Sequence, residues 1–236
     1  MEAIVLAGGL GTRLREAVPD VPKPMADIGG RPFLSYVLDL LARQGVGRVL
    51  LAVGHKHEVI QHHFGPRYGN LLIEYVVEPE QRGTGGAVRE ALEHCRTADI
   101  LVLNGDTYFD VDLLEMLAFH RAHQADITIA LKRVGDTGRY GAVVPGQDGR
   151  IAAFREKSHT GAGLINGGVY AVKRGIGEQL RDLDAPFSFE EDFLQRSMTR
   201  LSAYGFESDA SFVDIGIPED YAEARRMLGP HQGRRS

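Results

Sequence analysis

The chain has 236 residues, of which 43% are hydrophobic and 25% are charged, a composition typical of a globular protein that buries a core without disulfides. Its 27 basic and 32 acidic residues give a formal net charge of −5, which argues against a basic surface for nucleic acid. The N-terminus lacks the basic segment and apolar core of a signal peptide, and no apolar run approaches the length of a membrane span. We therefore expect a cytoplasmic protein with neither a nucleic-acid nor a membrane partner.

The first half of the chain alternates short apolar runs with stretches of helical periodicity. Continuous apolar runs of this length are typical of strands buried on both faces of a parallel sheet. Because strands that alternate with helices form βαβ units, this half predicts an α/β fold with a doubly wound, mostly parallel Rossmann-like sheet. The predicted strands are residues 3–7, 49–53, 72–77 and 100–103, and the predicted helices include residues 33–41, 87–95 and 113–118.

Beyond Asp126 the pattern is dominated by strands. Apolar residues alternate from Ile127 to Leu131, and Gln147-Asp148-Gly149-Arg150 predicts a hairpin turn. We expect one domain over residues 1–229, followed by a flexible tail over residues 230–236. Further strands are predicted at residues 142–144, 151–154, 164–172 and 202–206, with helices around residues 189–198 and from Pro218 to a stop at Gly229.

A glycine-rich segment, residues 6–14, follows the first predicted strand and therefore lies at the carboxyl edge of the sheet, where open α/β folds bind ligands. Glycines allow backbone amides to approach phosphate oxygens, while Thr12 adds a hydroxyl and Arg13 a planar cation. Lys23, held between two prolines, supplies a second cation. The dinucleotide-binding fingerprint requires a glycine where Leu14 stands, and the Walker A pattern is absent. Simple NAD-binding and P-loop interpretations are therefore excluded.

Two aspartates from distant segments are candidates for a metal site. Asp106 follows the strand at residues 100–103, and Asp214 lies in the segment 212–216. Magnesium is usually held by one or two carboxylates together with substrate phosphates and water, so such a pair is sufficient for Mg²⁺. An aspartate that caps a loop is the alternative explanation for either residue alone.

The glycine-rich segment, together with Pro22-Lys23-Pro24-Met25, resembles the signature of the sugar-phosphate nucleotidyltransferase family. The similarity covers nearly the whole chain, because it continues through Tyr140-Gly141, Glu156-Lys157, residues 166–170 and residues 214–221. The resemblance implies a GT-A-like nucleotidyltransferase fold with an additional β-rich sugar-binding part. The nucleotide-binding half would cover about residues 1–125, and the sugar-binding half about residues 126–229.

The resemblance also implies a role for each matching residue. The catalytic residues would be Arg13, Lys23, Asp106 and Asp214, and Mg²⁺ would be held by Asp106 and Asp214. The nucleotide would be bound by Leu6, Ala7, Gly8, Gly9, Gly11, Thr12, Arg13, Lys23, Glu78, Gly83, Thr84 and Asp106. The sugar phosphate would be bound by Tyr140, Gly141, Glu156, Lys157, Asn166 and Gly167. Ordinary surface ion pairs and strand caps are the alternative for this last group.

The implied reaction joins a sugar 1-phosphate to a nucleoside triphosphate. A sugar-phosphate oxygen attacks the α-phosphorus in line, and Mg²⁺, Arg13 and Lys23 neutralise the charge of the departing pyrophosphate. Because the attacking phosphate is already anionic, neither a covalent intermediate nor a general base is required.

Glu78 belongs to the segment that corresponds to the family's nucleobase-binding residues. An ionised carboxylate only accepts hydrogen bonds, and guanine presents two adjacent donors on its Watson–Crick edge, whereas adenine and cytosine present a donor beside an acceptor. We therefore predict GTP as the nucleotide. The alternative is that backbone groups contact the base while Glu78 faces solvent.

Within the family, the short chain and the segments 103–107 and 188–193 are most similar to the heptose 1-phosphate guanylyltransferases, which make GDP-D-glycero-α-D-manno-heptose. The first part of the glycine-rich segment is common to the whole superfamily, so mannose 1-phosphate and other hexose 1-phosphates stay open, as do other bases. The sequence is also compatible with a homo-oligomer.

Three alternative interpretations remain. Asp110-Val111-Asp112 is a D-x-D pair that could serve a nucleotide-sugar glycosyltransferase, although acidic residues at this position are also favoured as helix caps. A non-catalytic sugar-nucleotide sensor could share the fold. A transition-metal cluster could form from the histidines at positions 55, 57, 62 and 63, but Val59, Ile60 and Phe64 instead favour an amphipathic helix with the histidines on its polar side.

Overall fold

The fold was determined as a computed structural model, which describes residues 1–9, 21–155 and 161–229. Its strands are β1 Glu2–Leu6, β2 Asp27–Ile28, β3 Arg31–Pro32, β4 Arg48–Val53, β5 Arg67–Tyr68, β6 Leu71–Val77, β7 Asp99–Asn104, β8 Thr107–Phe109, β9 Ile127–Val134, β10 Ala142–Pro145, β11 Ile151–Arg155, β12 Gly163–Lys173, β13 Ala203–Ser208 and β14 Phe212–Asp214. Its helices are α1 Phe33–Arg43, α2 His57–Phe64, α3 Gly83–His94, α4 Leu113–Ala122, α5 Ile176–Arg181, α6 Gln195–Ser197 and α7 Pro218–Leu228, together with a 3₁₀ turn, Lys23–Met25, and a π-helix, Phe189–Leu194.

The central sheet is built around four parallel strands in the order β7-β1-β4-β6. All six residues of β4 are buried. Its last five residues, 49–53, form an uninterrupted apolar run, since a strand covered on both faces needs no polar side. The predicted doubly wound, mostly parallel sheet is confirmed for this part of the molecule.

The second half of the chain extends the same sheet with antiparallel strands. β12 pairs antiparallel with β7 and with β9, and β10 and β11 form the predicted hairpin beside β12. β13 then pairs parallel with β9. The two halves of the chain therefore share one hydrogen-bonded sheet.

Apolar side chains cover both faces of the sheet. One cluster packs α1, α2, α4 and α7 against one face, and the other packs α3, α5 and the π-helix against the opposite face. No helix in the described part of the chain has the length and apolar character needed to cross a bilayer.

A separate two-stranded ribbon pairs β8 with β14, which are more than 100 residues apart in the chain. Asp214 lies opposite Thr107 in this ribbon, and Phe212 lies opposite Phe109. The ribbon brings the segment after β7 into contact with the segment before α7. It thereby places the C-terminal Asp214 next to Asp106, at the carboxyl edge of the sheet.

Candidate active site

A cavity of about 660 Å³ opens at the carboxyl edge of the parallel strands, the position where open α/β sheets bind ligands. Eight of the predicted nucleotide-binding residues line it: Leu6, Gly8, Gly9, Lys23, Glu78, Gly83, Thr84 and Asp106. Its other lining residues are Pro24, Ala52, Gln81, Ala87, Asn104, Pro186, Ser188 and Glu190, which the sequence did not predict as site residues. Most of the predicted nucleotide-binding residues in the described part of the chain therefore line one cavity, whereas Ala7 does not.

The turn after β1 is held against the two neighbouring strands. The N–H of Ala7 donates to the carbonyl of Ala52 at 2.8 Å, and the N–H of Gly105 donates to the carbonyl of Leu6 at 2.9 Å. A Cβ at Gly105 would lie 2.7 Å from the Leu6 carbonyl oxygen, so this close backbone approach requires glycine. These contacts fix the backbone that leads into the glycine-rich segment.

Five predicted site residues lie outside the described part of the chain. They are Gly11, Thr12, Arg13, Glu156 and Lys157.

Lys23 is presented by the 3₁₀ turn, which has a proline on each side of the lysine. Its Nζ lies 2.5 Å from Oδ2 of Asp106, and only 11% of its side chain is exposed. The restricted proline backbone and the ion pair both limit the conformations open to the lysine. The cation is therefore held at the wall of the cavity.

Asp106 and Asp214 converge through the β8–β14 ribbon. The hydroxyl of Thr107 lies 3.4 Å from a carboxylate oxygen of each aspartate, and the N–H of Gly216 donates to Asp214 Oδ1. Burial raises the pKa of Asp214, and the negative charge of Asp106 raises it further, whereas the cation of Lys23 acts in the opposite direction. One lysine therefore only partly compensates the two carboxylates.

The donor set of this aspartate pair fits a hard divalent cation. Carboxylate oxygens are the ligands that Mg²⁺ prefers, and Mg²⁺ usually completes its shell with water and substrate phosphates. Among the described residues, no group of three or more His, Cys, Asp or Glu side chains could hold a metal ion. A cation bound between Asp106 and Asp214 would therefore depend on other ligands for most of its coordination.

Glu78 lies at the opposite side of the cavity, directly after β6. Its N–H donates to the carbonyl of Val53 at 2.9 Å, which fixes the backbone beside the end of β4. Its Oε1 is buried and accepts no hydrogen bond from the described residues. Burial and the charge of Glu90 raise the pKa of Glu78 to about 7, while the backbone and guanidinium of Arg82 oppose the shift. An unsatisfied acceptor therefore lines the cavity.

The start of α3 is joined to the segment before the π-helix by three hydrogen bonds, which we call the α3–π junction. Gly85 N–H donates to the carbonyl of Phe187 at 3.0 Å, and Phe187 N–H donates to that of Arg82 at 3.1 Å. Phe189 N–H donates to the hydroxyl of Thr84 at 2.9 Å. A Cβ at Gly85 would lie 2.1 Å from the Phe187 ring, so the junction requires glycine there.

Glu190 enters the cavity from the π-helix and is the main site feature that the sequence did not predict. The buried hydroxyl of Tyr170 donates to Glu190 Oε1, and Asn104 Nδ2 donates to the same oxygen at a longer distance of 3.5 Å. Asn166 Nδ2 in turn donates to the Tyr170 hydroxyl at 2.8 Å. The acidic run at residues 190–192 indicated a polar feature in this part of the sequence. The pattern of the surrounding helical residues did not indicate which of the three acidic side chains faces the cavity.

Four predicted sugar-side residues are not among those that line the cavity. Tyr140 packs edge-on against Phe212 of the β8–β14 ribbon, with ring centroids 6.1 Å apart. Gly141 has φ of +77°, a conformation that favours glycine. Asn166 uses its amide within the protein, and Gly167 packs so tightly that a Cβ would lie 2.5 Å from the Phe109 ring. Their predicted contacts with the sugar phosphate remain predictions.

The two aspartates of the D-x-D segment have structural partners. The side chain of Asp112 caps the N-terminus of α4 by accepting from Glu115 N–H at 2.9 Å. Asp110 forms an ion pair with Arg43 at the surface. Neither aspartate lines the cavity, so the helix-cap interpretation accounts for Asp112.

The histidines at positions 57, 62 and 63 lie on α2, as the amphipathic pattern predicted. Ile60 and Phe64 form its buried face, and His57 Nδ1 lies 3.1 Å from the carbonyl of Gly54. These histidines are not among any metal-binding group in the described part of the chain.

Comparisons with known proteins identify relatives over the full length of the chain. The family model described as nucleotidyl transferase matches residues 2–229. The D-glycero-alpha-D-manno-heptose 1-phosphate guanylyltransferase of Aneurinibacillus thermoaerophilus is 46% identical over 97% of this chain and 98% of its own length. The enzyme of the same name from Campylobacter jejuni is 42% identical over 94% of this chain and 97% of its own length.

A solved structure has the same fold. The crystal structure of HddC from Yersinia pseudotuberculosis superposes with a TM-score of 0.85 at 36% identity, covering 96% of this chain and 99% of HddC. The structure of HddC complexed with GMP-PN superposes with a TM-score of 0.84.

Proposed function

Because the chain belongs to the nucleotidyl transferase family, we propose that it transfers a guanylyl group from GTP to D-glycero-α-D-manno-heptose 1-phosphate, forming GDP-heptose and pyrophosphate. Two relatives with more than 40% identity over nearly their whole length carry this activity in their names. HddC, similar over almost its entire chain, has been crystallised with GMP-PN. These similarities support both the reaction class and the choice of a guanine nucleotide.

The observation that carries the proposal is the convergence of Lys23, Asp106 and Asp214 beside the turn after β1. These residues come from segments far apart in the chain, yet the structure joins them through one ion pair and the hydroxyl of Thr107. Transfer of a nucleotidyl group depends mainly on positioning and charge stabilisation rather than on a protein nucleophile. The site supports both, because Lys23 and Asp106 line the cavity as an ion pair and Asp214 lies beside Asp106.

The aspartate pair fits Mg²⁺, as its oxygen donors and only partly compensated charge indicate. Asp106 and Asp214 would hold the ion, which when bound supplies positive charge to the phosphates. Lys23 would stabilise the β- and γ-phosphates that leave as pyrophosphate, together with Arg13. The glycine-rich backbone would hold the triphosphate by its N–H groups.

In the proposed reaction, an oxygen of the sugar phosphate forms a bond to the α-phosphorus while the bond to the β-phosphate oxygen breaks. The electron pair of that bond leaves with pyrophosphate, whose added charge the Lys23 cation stabilises. The attacking phosphate is already anionic. The site therefore needs no side chain that accepts a proton from the nucleophile.

Glu78 supports the choice of GTP. When ionised, its carboxylate can accept hydrogen bonds from two adjacent donors, and guanine presents such a pair at N1 and N2. Adenine and cytosine would each place an acceptor against one of the carboxylate oxygens. The buried Oε1 without a partner among the described residues is the acceptor that such a base would satisfy.

The activity is tested by incubating the protein with Mg²⁺ and GTP, ATP, CTP or UTP, each combined with the heptose, mannose and glucose 1-phosphates. Pyrophosphate release and the nucleotide sugar product are measured. We expect the highest kcat/KM for GTP with the heptose 1-phosphate. Pyrophosphate release with another base or with mannose 1-phosphate as the best pair would contradict the specific assignment, and no release with any pair would contradict the reaction itself.

The proposed function also leads us to expect that the enzyme acts in the cytoplasm, where GTP is available. The division into a nucleotide-binding half and a sugar-binding half within one domain also remains a proposal, supported by the extension of the parallel sheet by antiparallel strands.

A further inference from the structure

The catalytic roles proposed above leave Glu190 without a function, although its side chain lines the cavity. We infer that Glu190 determines sugar specificity by accepting hydrogen bonds from hydroxyl groups of the sugar 1-phosphate. This inference rests on the proposed function and assigns the residue that discriminates among sugar phosphates.

The carboxylate of Glu190 lies at the end of β7 rather than at the end of β6. Glu78 follows β6, whereas Glu190 contacts Asn104 at the end of β7. The sheet order β7-β1-β4-β6 puts three interstrand spacings between these two ends, which is about 14 Å at roughly 4.8 Å per spacing. A base bound at Glu78 and a sugar beyond the phosphates would span such a distance.

The hydrogen bonds of Glu190 leave one of its oxygens available. Tyr170 and Asn104 both donate to Oε1. No described residue donates to Oε2, so this oxygen can accept from a ligand. An ionised carboxylate accepts from hydroxyl groups and repels phosphate, which makes a polyhydroxylated sugar ring the suitable partner.

The protein around Glu190 restricts its movement. Tyr170 is fully buried, and its hydroxyl accepts from Asn166 while it donates to Glu190. The adjacent Phe189 is bonded to Thr84 through the α3–π junction. A carboxylate held from two sides is pre-organised for hydrogen bonds in one direction. The residue also lies in a π-helical turn, a feature that is frequent at functional sites.

This network gives Asn166 and Tyr170 a positioning role. The amide of Asn166 donates to the Tyr170 hydroxyl at 2.8 Å, and this hydroxyl in turn donates to Glu190. The sugar-side role predicted for Asn166 can therefore be exerted indirectly, by orienting the carboxylate that contacts the sugar.

The decisive variant is Glu190→Gln, measured with Mg²⁺ at saturating GTP against the heptose, mannose and glucose 1-phosphates. The glutamine oxygen can still accept from Tyr170, but its amino group cannot accept from a sugar hydroxyl. We expect the KM for heptose 1-phosphate to rise about 10- to 100-fold, as expected for loss of a hydrogen bond to a charged group. The ratio of kcat/KM values among the three sugars should also change, whereas the KM for GTP should stay within about twofold.

Glu191→Gln is the matched control, because Glu191 is the next residue on the same helix and its side chain is exposed. We expect this variant to keep the wild-type KM values for both substrates. If E190Q lost its fold, Glu190→Asp would provide the second test, since it keeps the charge but withdraws the carboxylate and should still raise the KM for the sugar.

Two results would overturn the inference while leaving the proposed function intact. One is an active wild type whose E190Q variant keeps every sugar KM and the same sugar preference. The other is an E190Q variant in which the KM for GTP rises and the KM for the sugar does not. A wild type that releases no pyrophosphate with any substrate pair would instead refute the proposed function, and with it the role assigned to Glu190.

Tyr170→Phe tests the positioning role separately. Removing the hydroxyl should raise the KM for the sugar less than E190Q does. In the E190Q background the same change should have little further effect, because residues in one hydrogen-bond network are not additive. Additive effects on the sugar KM would contradict positioning through Glu190.

Discussion

Charged residues lie at both edges of the parallel sheet, the amino edge where its strands begin and the carboxyl edge where they end. They are paired with opposite charges at the amino edge and only partly compensated at the carboxyl edge. At the amino edge, Glu2 and Glu74 share the guanidinium of Arg48. Glu2 also accepts from the backbone N–H groups of Arg96 and Thr97, each at 2.7 Å. Burial alone would raise the pKa of Glu2, yet these hydrogen bonds and Arg48 lower it to about 2.

At the carboxyl edge, the carboxylates are left partly unsatisfied. The pKa of Glu78 is raised to about 7, first by burial, and the pKa of Asp214 is also raised by burial and by its neighbour Asp106. Charges at the amino edge therefore stabilise the fold, whereas the carboxylates at the carboxyl edge are not fully compensated within the protein. Carboxylates whose pKa is raised by burial and a neighbouring charge are frequent at functional sites.

The carboxylates of the two edges also change the stability of the fold in opposite directions as the pH rises. Because the folded pKa of Glu2 is depressed, its contribution is present above pH 4.5 and is lost as the pH falls towards 2. Because the folded pKa of Glu78 is raised, its contribution is present below pH 4.5 and is lost as the pH rises through about 7. At neutral pH the titration of Glu2 therefore favours the folded state, whereas that of Glu78 does not.

The largest effect is expected from Asp214→Asn at the carboxyl edge. Removing this charge should lower kcat by on the order of 10²- to 10³-fold, the size of effect seen when one charge-stabilising group is lost. Its thermal stability should be equal to or above that of the wild type, because the folded state disfavours the ionised form of Asp214. Pyrophosphate release and thermal unfolding measure the two effects, with the exposed Asp209→Asn as control. A D214N variant that unfolds at a lower temperature than the wild type and keeps the wild-type kcat would contradict the functional role assigned to the carboxyl edge.

Arg48→Met at the amino edge should produce the converse result. It leaves Glu2 and Glu74 without their shared cation, and removing one partner of a buried ion pair costs about 3 kcal/mol of unfolding free energy. Urea unfolding measures this loss, while kcat per folded molecule should be unchanged. The control is Arg181→Met, which breaks a pair with Glu93 exposed on both sides and should cost about 1 kcal/mol or less. Equal losses in the two variants would remove the distinction between the edges.

Glu78→Gln should weaken nucleotide discrimination at the carboxyl edge. We expect the preference for GTP over ATP to fall about tenfold or more, because the glutamine amino group cannot accept from guanine. In the wild type, the affinity for GTP should increase as the pH rises through about 7, since only the ionised carboxylate accepts from both donors. Calorimetric titrations between pH 6 and 8 with GTP and ATP, in wild type and variant, test this. In E78Q, the difference in affinity between GTP and ATP should no longer depend on pH. A pH dependence that persists in this variant would exclude Glu78 as its cause.

The smallest effect is expected from Asp112→Ala, near the carboxyl edge. The Asp112 carboxylate accepts a hydrogen bond as a helix cap, so it stabilises the fold as the charges of the amino edge do. Its replacement should therefore lower the free energy of unfolding by about 1 kcal/mol. Its kcat should match that of the wild type, and so should that of Asp110→Ala. A large fall in kcat for both variants at unchanged stability would revive the metal-binding D-x-D interpretation.

Most of the parallel part of the fold was predictable because its strands contain continuous apolar runs, such as residues 49–53 of the buried β4. The position of Asp106 at the carboxyl edge was predictable because its segment follows a predicted strand of the parallel sheet, whereas its ion pair with Lys23 was not predicted. The β8–β14 ribbon was not, because three-residue strands carry no periodicity. It is nevertheless this ribbon that delivers Asp214 to the site.

The role of Glu190 could not be predicted for a different reason. Its partners, Tyr170 and Asn104, are separated from it by 20 and 86 positions, and hydrogen bonds at such separations leave no local pattern. The π-helical turn adds to the difficulty, since a single wide turn shifts which residues face inwards relative to an α-helix. The individual roles of the site residues, including Arg13, Glu156 and Lys157, remain predictions from the family resemblance.

The α3–π junction has a consequence for protein engineering. Residues 82–85, which follow the proposed base-binding Glu78, and residues 187–189, which precede the proposed sugar-binding Glu190, share three hydrogen bonds and a glycine contact that admits no side chain. A graft that imports another enzyme's segment 78–85 alone would therefore also disturb the position of Glu190. Chimeras designed to make new nucleotide sugars from this scaffold should exchange the two segments together, as a single cassette.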